Sequence, residues 1–433
     1  MTKLLMGRPG MKIRAGDGCE EPGHPEMLST PLFYQANPGD KLTLLDENYK
    51  FNVATYRQEV EPRWIYTYDY APDQSWTIYN HDLNGDNYRQ DEYTFNEKVY
   101  FRVCLRKVNG DTFDGLEDIN KILMFDSKDV PAVNKPWIKN EVWRVTKRVD
   151  MLRKTGDRVF ILLTDSHYTV NGTWDDTFAA VKQLSNEIKP DGIIHLGDMT
   201  DGMVTGDATR HYIDITLENL RSCGVPVWLT LGNHDSNYFR SNPESFTAQQ
   251  QKEIYFGGKN IRYYIDLPEI RMIFIDSYDP KEKQRYGYNP ECITWLDNTL
   301  KEAPAKSRIL IFSHLPPLTR LQYWTDKVRG DVEIMDILKQ YPNKNLHWIN
   351  GHNHADGLDN NEGFPIISIT NAKCEFFKEH KPEGAVVPER KLNDVTQEAF
   401  DVMIVRKKDD TIHFIRFGAG RNKIISNGKV MWI

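Results

Sequence analysis

The sequence predicts an α/β domain that follows a small all-β domain. From residue 158 onward, short apolar runs that suit buried strands alternate with amphipathic helical runs, which is the order expected of an α/β fold. Before residue 125, short β-prone runs alternate with turn signals such as NPGD and LNGDN, at the spacing of a small sandwich or jelly roll. We therefore expect a β-rich domain at 1–125, a linker and amphipathic helix at 126–157, and a second domain at 158–433.

Length and composition support more than one globular domain. A chain of 433 residues is too long for one ordinary core, and its 39% hydrophobic content is ample for two. The formal net charge of −7 argues against a protein that coats nucleic acid. The five cysteines are scattered and form no C-x-x-C pair, so neither a disulfide framework nor a Cys-rich zinc site is expected.

The N-terminus has no apolar segment typical of a signal peptide, and no run of 18 apolar residues occurs along the chain. We therefore expect no membrane span and a cytoplasmic location by default. Packing into a virus particle stays open as an alternative.

The first domain is dense in aromatic residues between positions 49 and 101, in and around the β-prone runs YKFNVATYR, WIYTYDY and KVYFRVCLRKV. Two interpretations are open for them. They could form a platform that binds a glycan or a surface polymer, or they could fill the core of a small β-sandwich. We favour the second interpretation because a small sandwich has to fill its core with bulky side chains.

The second domain is preceded by a predicted helix, in which apolar residues recur at 3–4 spacing from Ile138 to Leu152. Five buried strands then follow in the runs RVFILL, GIIHL, PVWLTL, RILIF and LHWIN, with helices between most of them. The runs YYIDL and RMIFID suit a hairpin. Two further strands, FDVMIVRK and TIHFIRFG, are joined by the turn KDD.

Side chains that can bind metal follow each of the five buried strands. In open α/β sheets functional groups collect at the carboxyl ends of strands, so we expect these side chains to meet in one crevice. They are Asp165, His167, Asp198, Asn233, His314, His352 and His354.

The residue types indicate a dinuclear site. Asp, Asn and His side chains bind Mn, Fe, Zn or Ni, and their types alone do not choose between these ions. Seven side chains are too many for one ion, but with one shared carboxylate they make two four-ligand sites that keep open positions for water and substrate. The pairs in D-x-H and H-x-H stand at i and i+2, and on an extended segment such side chains point the same way. Gly197, Gly232 and Gly351 suit tight turns beside the ions.

The ordered run D-x-H … G-D … G-N-H-D … H … G-H-x-H resembles the calcineurin-like metallophosphoesterase superfamily. The resemblance covers roughly residues 158–420, and the RFGAG ending at 416–420 is similar to versions found in phage and gut-bacterial proteins. It implies a four-layer α-β-β-α sandwich for the second domain.

The resemblance also implies a role for each residue. Asp165, His167 and His354 would hold one ion, and Asp198 would bridge it to the other. That second ion would be held by Asn233, His314 and His352. His234 would protonate the leaving group or stabilise its charge, and Asp235 would orient His234.

The expected function is a dinuclear-metal-dependent phosphoester hydrolase, a phosphodiesterase or a phosphomonoesterase, that uses a metal-bridging hydroxide as its nucleophile. One alternative is a non-catalytic binding or attachment protein with a retained metal site. A nuclease is a further alternative, against which the missing basic stripe counts.

Overall fold

The computed structural model describes most of the chain in two compact units. The described residues are 2–3, 5, 7–13, 20–30, 34–58, 76–78, 88–115, 117–128, 132–168, 173–202, 206–239, 242–278, 286–304, 307–375, 377–391 and 393–433. One unit comprises Met1–Pro131, and the other comprises Ala132–Tyr168 and Thr173–Ile433. The domain boundaries expected at 125 and 157 stay predictions.

The first unit is built from short strands. They are β1 (Thr2–Lys3), β2 (Arg8–Pro9), β3 (Met11–Ile13), β4 (Glu20–Pro22), β5 (Leu28–Ser29), β6 (Tyr34–Ala36), β7 (Lys41–Leu44), β8 (Tyr49–Gln58), β9 (Trp76–Ile78), β10 (Glu92–Thr94), β11 (Val99–Lys107) and β12 (Leu123–Asp126), with the one-turn helix α1 (Ile119–Ile122) before β12. They form a four-stranded sheet in the order β1-β12-β7-β10, a six-stranded sheet around β8 and β11, and the pair β3-β4.

Aromatic side chains fill the core of this first unit. Phe101 on β11 and Phe125 on β12 belong to different sheets, and their ring centroids lie 4.8 Å apart. Phe95 contacts both rings, and all three are buried. This agrees with the core-filling interpretation of the aromatic residues, and these contacts give the glycan hypothesis no support. The run WIYTYDY lies outside the described residues.

In its described residues, the second unit contains two larger sheets and six α-helices. Its helices are α2 (Pro136–Leu152), α3 (Trp174–Ile188), α4 (Gly206–Arg221), α5 (Ala248–Phe256), α6 (Pro290–Glu302) and α7 (Asp331–Lys339). Its strands are β13 (Arg158–Leu163), β14 (Gly192–His195), β15 (Val227–Leu229), β16 (Tyr263–Leu267), β17 (Ile270–Phe274), β18 (Arg308–Ser313), β19 (Asn345–Asn350), β20 (Gly357–Asp359), β21 (Ile366–Ser368), β22 (Ala399–Val405), β23 (Ile412–Gly418), β24 (Lys423–Ser426) and β25 (Lys429–Trp432).

We call the seven-stranded sheet of this unit sheet I, with the order β15-β14-β13-β22-β23-β24-β25. The six-stranded sheet II has the order β16-β17-β18-β19-β21-β20. Strands β13, β14 and β15 run parallel in sheet I, as β17, β18, β19 and β21 do in sheet II. The predicted hairpins β16-β17 and β22-β23 are both antiparallel, as expected.

The period-two alternation of the strands places apolar side chains on both faces of each sheet. Val159 and Ile161 of β13 pack with α2 and α3, whereas Phe160 and Leu162 pack in a core shared by the two sheets. Sheet II is covered in the same way on its outer face by α6 and α7. Burying one such aliphatic side chain stabilises the fold by roughly 1.5–3 kcal/mol. The second unit is therefore the four-layer α-β-β-α sandwich that the family resemblance implies.

None of the helices in the described part of the chain combines the length and the apolar character needed to cross a membrane.

Candidate metal centre

The loops after five parallel strands bring all seven predicted ligands together. Three of these strands, β13, β14 and β15, are neighbours in sheet I, and the other two, β18 and β19, are neighbours in sheet II. Six of the seven side chains are almost fully buried, and His354 is somewhat more accessible. The predicted convergence at the carboxyl ends of the strands is therefore what the structure shows.

The first group of donor atoms comes from Asp165, His167 and His354. His354 Nε2 lies 3.2 Å from Asp165 Oδ1 and also 3.2 Å from His167 Nε2. Two ligands about 2.1 Å from a common ion stand roughly 3–3.5 Å apart, so these spacings suit one ion. Asp165 Oδ1 is buried and makes no hydrogen bond, which leaves its charge available to a cation.

The second group comes from Asn233, His314 and His352. His314 Nε2 lies 3.2 Å from Asn233 Oδ1 and 3.2 Å from His352 Nδ1. Asp198 stands between the groups, because its Oδ2 is 3.2 Å from His314 Nε2 and 3.8 Å from His167 Nε2. The Asp198 carboxylate therefore lies within 4 Å of one histidine from each group.

Oxygen acceptors face the second ring nitrogen of three of these histidines. His314 Nδ1 donates to the carbonyl of Leu196 over 2.8 Å. The Nδ1 atom of His167 lies 3.4 Å from Asp201 Oδ1, and the Nδ1 atom of His354 contacts Glu375. An acceptor on the second nitrogen orients the ring and fixes the tautomer, and it is the usual environment of a metal-binding histidine.

An unusual backbone conformation presents the ligands. Positive φ angles occur at Asp165 (49°), His167 (40°), Asp198 (55°), His352 (69°) and His354 (52°). The prediction that both pairs lie on extended segments is therefore wrong, although their side chains do converge. Left-handed residues other than glycine cost of order 1–3 kcal/mol each and cluster at functional sites.

Three glycines allow the ligand loops to approach one another. A Cβ atom on Gly232 would overlap Asp198 Oδ1, and one on Gly351 would overlap the hydroxyl of Thr164. Gly197 has a φ of 95° and packs against the backbone of Gly232. The predicted close approach of backbone at these positions is present.

Protons share this centre when ions are absent. Burial disfavours a charged imidazole, but the neighbouring carboxylates, chiefly Asp198 for His314 and Glu375 for His354, raise the pKa of each to about 9. Burial lowers the pKa of His352 to about 3. An ion that binds here must displace a proton from His314 and another from His354. Its affinity for the site therefore rises with pH.

His234 lies beside the donor atoms, with its ring centroid 4.8 Å from that of His167. Its Nδ1 atom donates to the carbonyl of Asp201 over 2.6 Å, so a neutral His234 ring keeps its proton on Nδ1. Burial lowers the pKa of His234, which favours that neutral form.

Asp235 lies buried beside Asp198 and His234. Its carboxylate accepts hydrogen bonds from the backbone amides of Asp198, Met199 and Gly232 and from the hydroxyl of Tyr255. Both oxygens are occupied in this way, and the ring of His234 is held by the Asp201 carbonyl instead. The hydrogen bonds of the Asp235 carboxylate thus go to the backbone around Asp198 and to Tyr255, and its expected role in orienting His234 stays a prediction.

Residues outside the predicted motifs complete the site. The Nζ atom of Lys373 lies 3.0 Å from Asp201 Oδ1 and 3.5 Å from Glu375 Oε2, and all three residues are buried. Lys373 and Glu375 follow β21, which is a sixth strand end with polar side chains after it. Polar residues after a buried strand were therefore the sequence signal that could have identified Lys373 and Glu375. Close to the site, the buried ring of His195 hydrogen-bonds to the hydroxyl of Ser166 and accepts from the backbone amide of Gly197.

Comparisons with known proteins agree with this geometry. Residues 158–356 match the family model described as Calcineurin-like phosphoesterase. Over 131 residues the chain is 30% identical to a probable glycerophosphodiester phosphodiesterase of Arcobacter nitrofigilis, which covers 30% of this chain and 43% of that protein. Over 180 residues it is 24% identical to a probable cyclic nucleotide phosphodiesterase of Rhodopseudomonas palustris, which covers 39% of this chain and 61% of the relative. The matched regions thus span less than two-thirds of either relative.

Among solved structures, a dimetal phosphatase from Danio rerio aligns with a TM-score of 0.47 at 19% identity, over 62% of this chain and 98% of that one. The family is one of metallophosphoesterases, which use divalent metal ions, and the clustered Asp and His side chains described above suit such ions. The segment 158–356 of this chain belongs to the calcineurin-like phosphoesterase family.

Proposed function

We propose that the chain is a phosphodiesterase that works with two divalent transition-metal ions. The observation that carries the proposal is the position of Asp198 between two groups of buried donors, each group spaced as the ligands of one ion. Both curated relatives are named as probable phosphodiesterases, which favours a diester over a monoester as the substrate.

The bound ions would supply Lewis acidity to the phosphoryl group and lower the pKa of the attacking water. Asp165, His167 and His354 would hold one ion, and Asn233, His314 and His352 the other, with Asp198 shared. Asp201 and Glu375 would keep the rings of His167 and His354 in the orientation that binding requires.

His234 would act on the leaving group from beside the ions. Its Nδ1–H is held by the Asp201 carbonyl, so Nε2 is the nitrogen that can exchange a proton with a substrate oxygen. Donation from Nε2 requires a protonated ring, which burial opposes. The proposed acid must therefore take up its proton in the complex with the substrate anion.

Metal stripping and reloading tests this function. The chain is treated with a chelator, reloaded separately with Mn, Fe, Zn or Ni, and its metal content is measured by elemental analysis. We expect two ions per chain and hydrolysis of bis(4-nitrophenyl) phosphate faster than that of 4-nitrophenyl phosphate. Absence of hydrolysis with all four metals, despite bound ions, would mean that the site binds without catalysing.

A further inference from the structure

A group of exposed and half-buried aromatic side chains borders the metal centre on the His354 side. Its members, Tyr323, Trp324, Phe377 and His380, come from two segments of the second unit, and we call them the aromatic wall. Trp324 is central, since its ring centroid lies 5.2 Å from that of Tyr323 and 5.6 Å from those of Phe377 and His380.

Two rings of the aromatic wall lie next to the imidazole of His354. The Trp324 ring lies 6.0 Å from the imidazole of His354, and the Phe377 ring lies 6.4 Å from it. Tyr323 and Trp324 nevertheless remain 42% and 38% exposed. Large exposed aromatic side chains beside a buried polar site indicate a surface that binds a ligand.

The ligand loop itself holds this wall in place. Asn353 separates the two histidines of the H-x-H pair, and its side-chain amide donates to the carbonyl of Leu321 over 2.8 Å. Its carbonyl oxygen accepts from the backbone amide of Tyr323 over 3.2 Å. The segment that carries Tyr323 and Trp324 is thereby fixed relative to His352 and His354.

A second aromatic group lies near His352 but is less open. The hydroxyl groups of Tyr238 and Tyr286 hydrogen-bond to each other, and Tyr278 beside them is only 7% exposed. The open stacking surface is therefore on the His354 side.

We propose that the aromatic wall binds a planar ring in the organic part of the substrate, so that the preferred diester carries a nucleoside or aryl group. This inference rests on the proposed phosphodiesterase function and names its substrate class. Stacking on an aromatic side chain tolerates any flat ring and contributes roughly 1–3 kcal/mol per ring. A short aliphatic alcohol offers no face for such stacking.

Two diesters with the same leaving group test the proposal. Thymidine 5′-(4-nitrophenyl phosphate) and methyl 4-nitrophenyl phosphate differ only in the group that would meet the wall. We expect the metal-loaded wild type to prefer the thymidine ester by about tenfold or more in kcat/KM. Trp324→Ala should reduce the ratio of the two kcat/KM values by at least about fivefold. Trp324→Phe keeps an aromatic ring and should reduce that ratio by a smaller factor.

Trp143→Ala is the matched control, because Trp143 on α2 is 65% exposed and belongs to no contact of the site. It should leave the preference unchanged. Equal loss of both activities in Trp324→Ala, or no preference in the wild type, would overturn the proposal. If the aromatic wall instead docks a protein or a membrane, Trp324→Ala should keep the wild-type preference for the thymidine ester. That result would likewise overturn the proposal.

Calorimetry separates this proposal from the proposed function. If neither diester is hydrolysed, the phosphodiesterase function fails, and binding of thymidine 5′-monophosphate and methyl phosphate to the metal-loaded chain still decides the ring subsite. Tighter binding of the nucleotide to the wild type but not to Trp324→Ala supports the subsite. Equal affinities for the two ligands in the wild type refute it.

Discussion

At the scale of single residues, His234 has two possible roles: it could be a metal ligand, or it could donate a proton to the leaving group. It approaches Asp198 and His167 closely enough to count among candidate ligands, yet the Asp201 carbonyl already holds its Nδ1 atom. A ligand and a proton donor make opposite demands on Nε2, since the first must offer a lone pair and the second a proton. Metal content and turnover therefore distinguish them.

His234→Ala should keep two ions per chain and lose turnover, because general acid catalysis contributes roughly 10²–10⁴-fold. Elemental analysis and diester hydrolysis measured on one preparation check this. His211→Ala, an exposed histidine on α4, serves as the control and should change neither quantity. A loss of one ion in His234→Ala would identify His234 as a ligand.

At the scale of elements, the strands and their polar ends follow from local pattern. Strand β13 occupies the predicted run RVFILL, and all five ligand loops begin where a buried strand ends. Helix α5 and the hairpin β24-β25 were predictable but were not predicted. The capping box of Thr247 and Gln250 marks the start of α5, and Asn427-Gly428 forms the hairpin turn.

Other parts of the site depend on contacts between distant segments. The contact of Lys373 with Asp201 joins positions 172 residues apart, and Tyr255 on α5 donates a hydrogen bond to Asp235, 20 residues earlier in the chain. The positive φ angles at His352 and His354 could not be predicted either, because only a few per cent of residues other than glycine adopt such angles. Periodicity within one segment carries no information about such contacts.

The loop after β19 gives a test at this scale. In Gly351→Ala the new methyl group overlaps the Thr164 hydroxyl and displaces the loop that carries His352 and His354. Overpacking of this kind costs roughly 1–3 kcal/mol, so we expect ion affinity to fall about tenfold or more. Titration of the metal-free variant with Mn or Zn measures the change.

Gly363→Ala is the control for that substitution. Gly363 has a φ of 87° but open space around its Cβ position, so an alanine there strains the backbone without touching the site. Its ion affinity should match that of the wild type. If both variants lost affinity equally, general destabilisation would account for the effect.

At the scale of the whole second unit, a buried group of four charges connects the loop that carries His352 and His354 to both sheets. Asp356 lies two residues beyond His354. Arg416 and Lys423 each form ion pairs with both Asp356 and Asp401. Asp401, Arg416 and Lys423 belong to sheet I, whereas Asp356 precedes β20 of sheet II. The RFGAG run, noted in the sequence as a family cue, thus contributes the arginine of this group.

Asp356→Asn should destabilise the fold by about 3–5 kcal/mol, because it leaves two buried cations with one carboxylate. Urea denaturation of the metal-free chain measures the loss. Asp410→Asn breaks the ion pair of Asp410 with Arg308, in which Asp410 is 73% exposed, and should cost about 1 kcal/mol or less. Similar losses in the two variants would show that the buried group adds no more than a surface pair.

The left-handed backbone of the ligand loops bears on how firmly the chain would keep its ions. A loop that relaxes when an ion leaves must regain the strained conformation before another ion can bind, at roughly 1–3 kcal/mol per residue. That cost subtracts from the affinity provided by the donor atoms. Ions held in this way would bind more weakly than ions in a relaxed site with the same ligands. The activity of the chain would then follow the supply of metal around it, and whichever suitable ion is most abundant would set its rate.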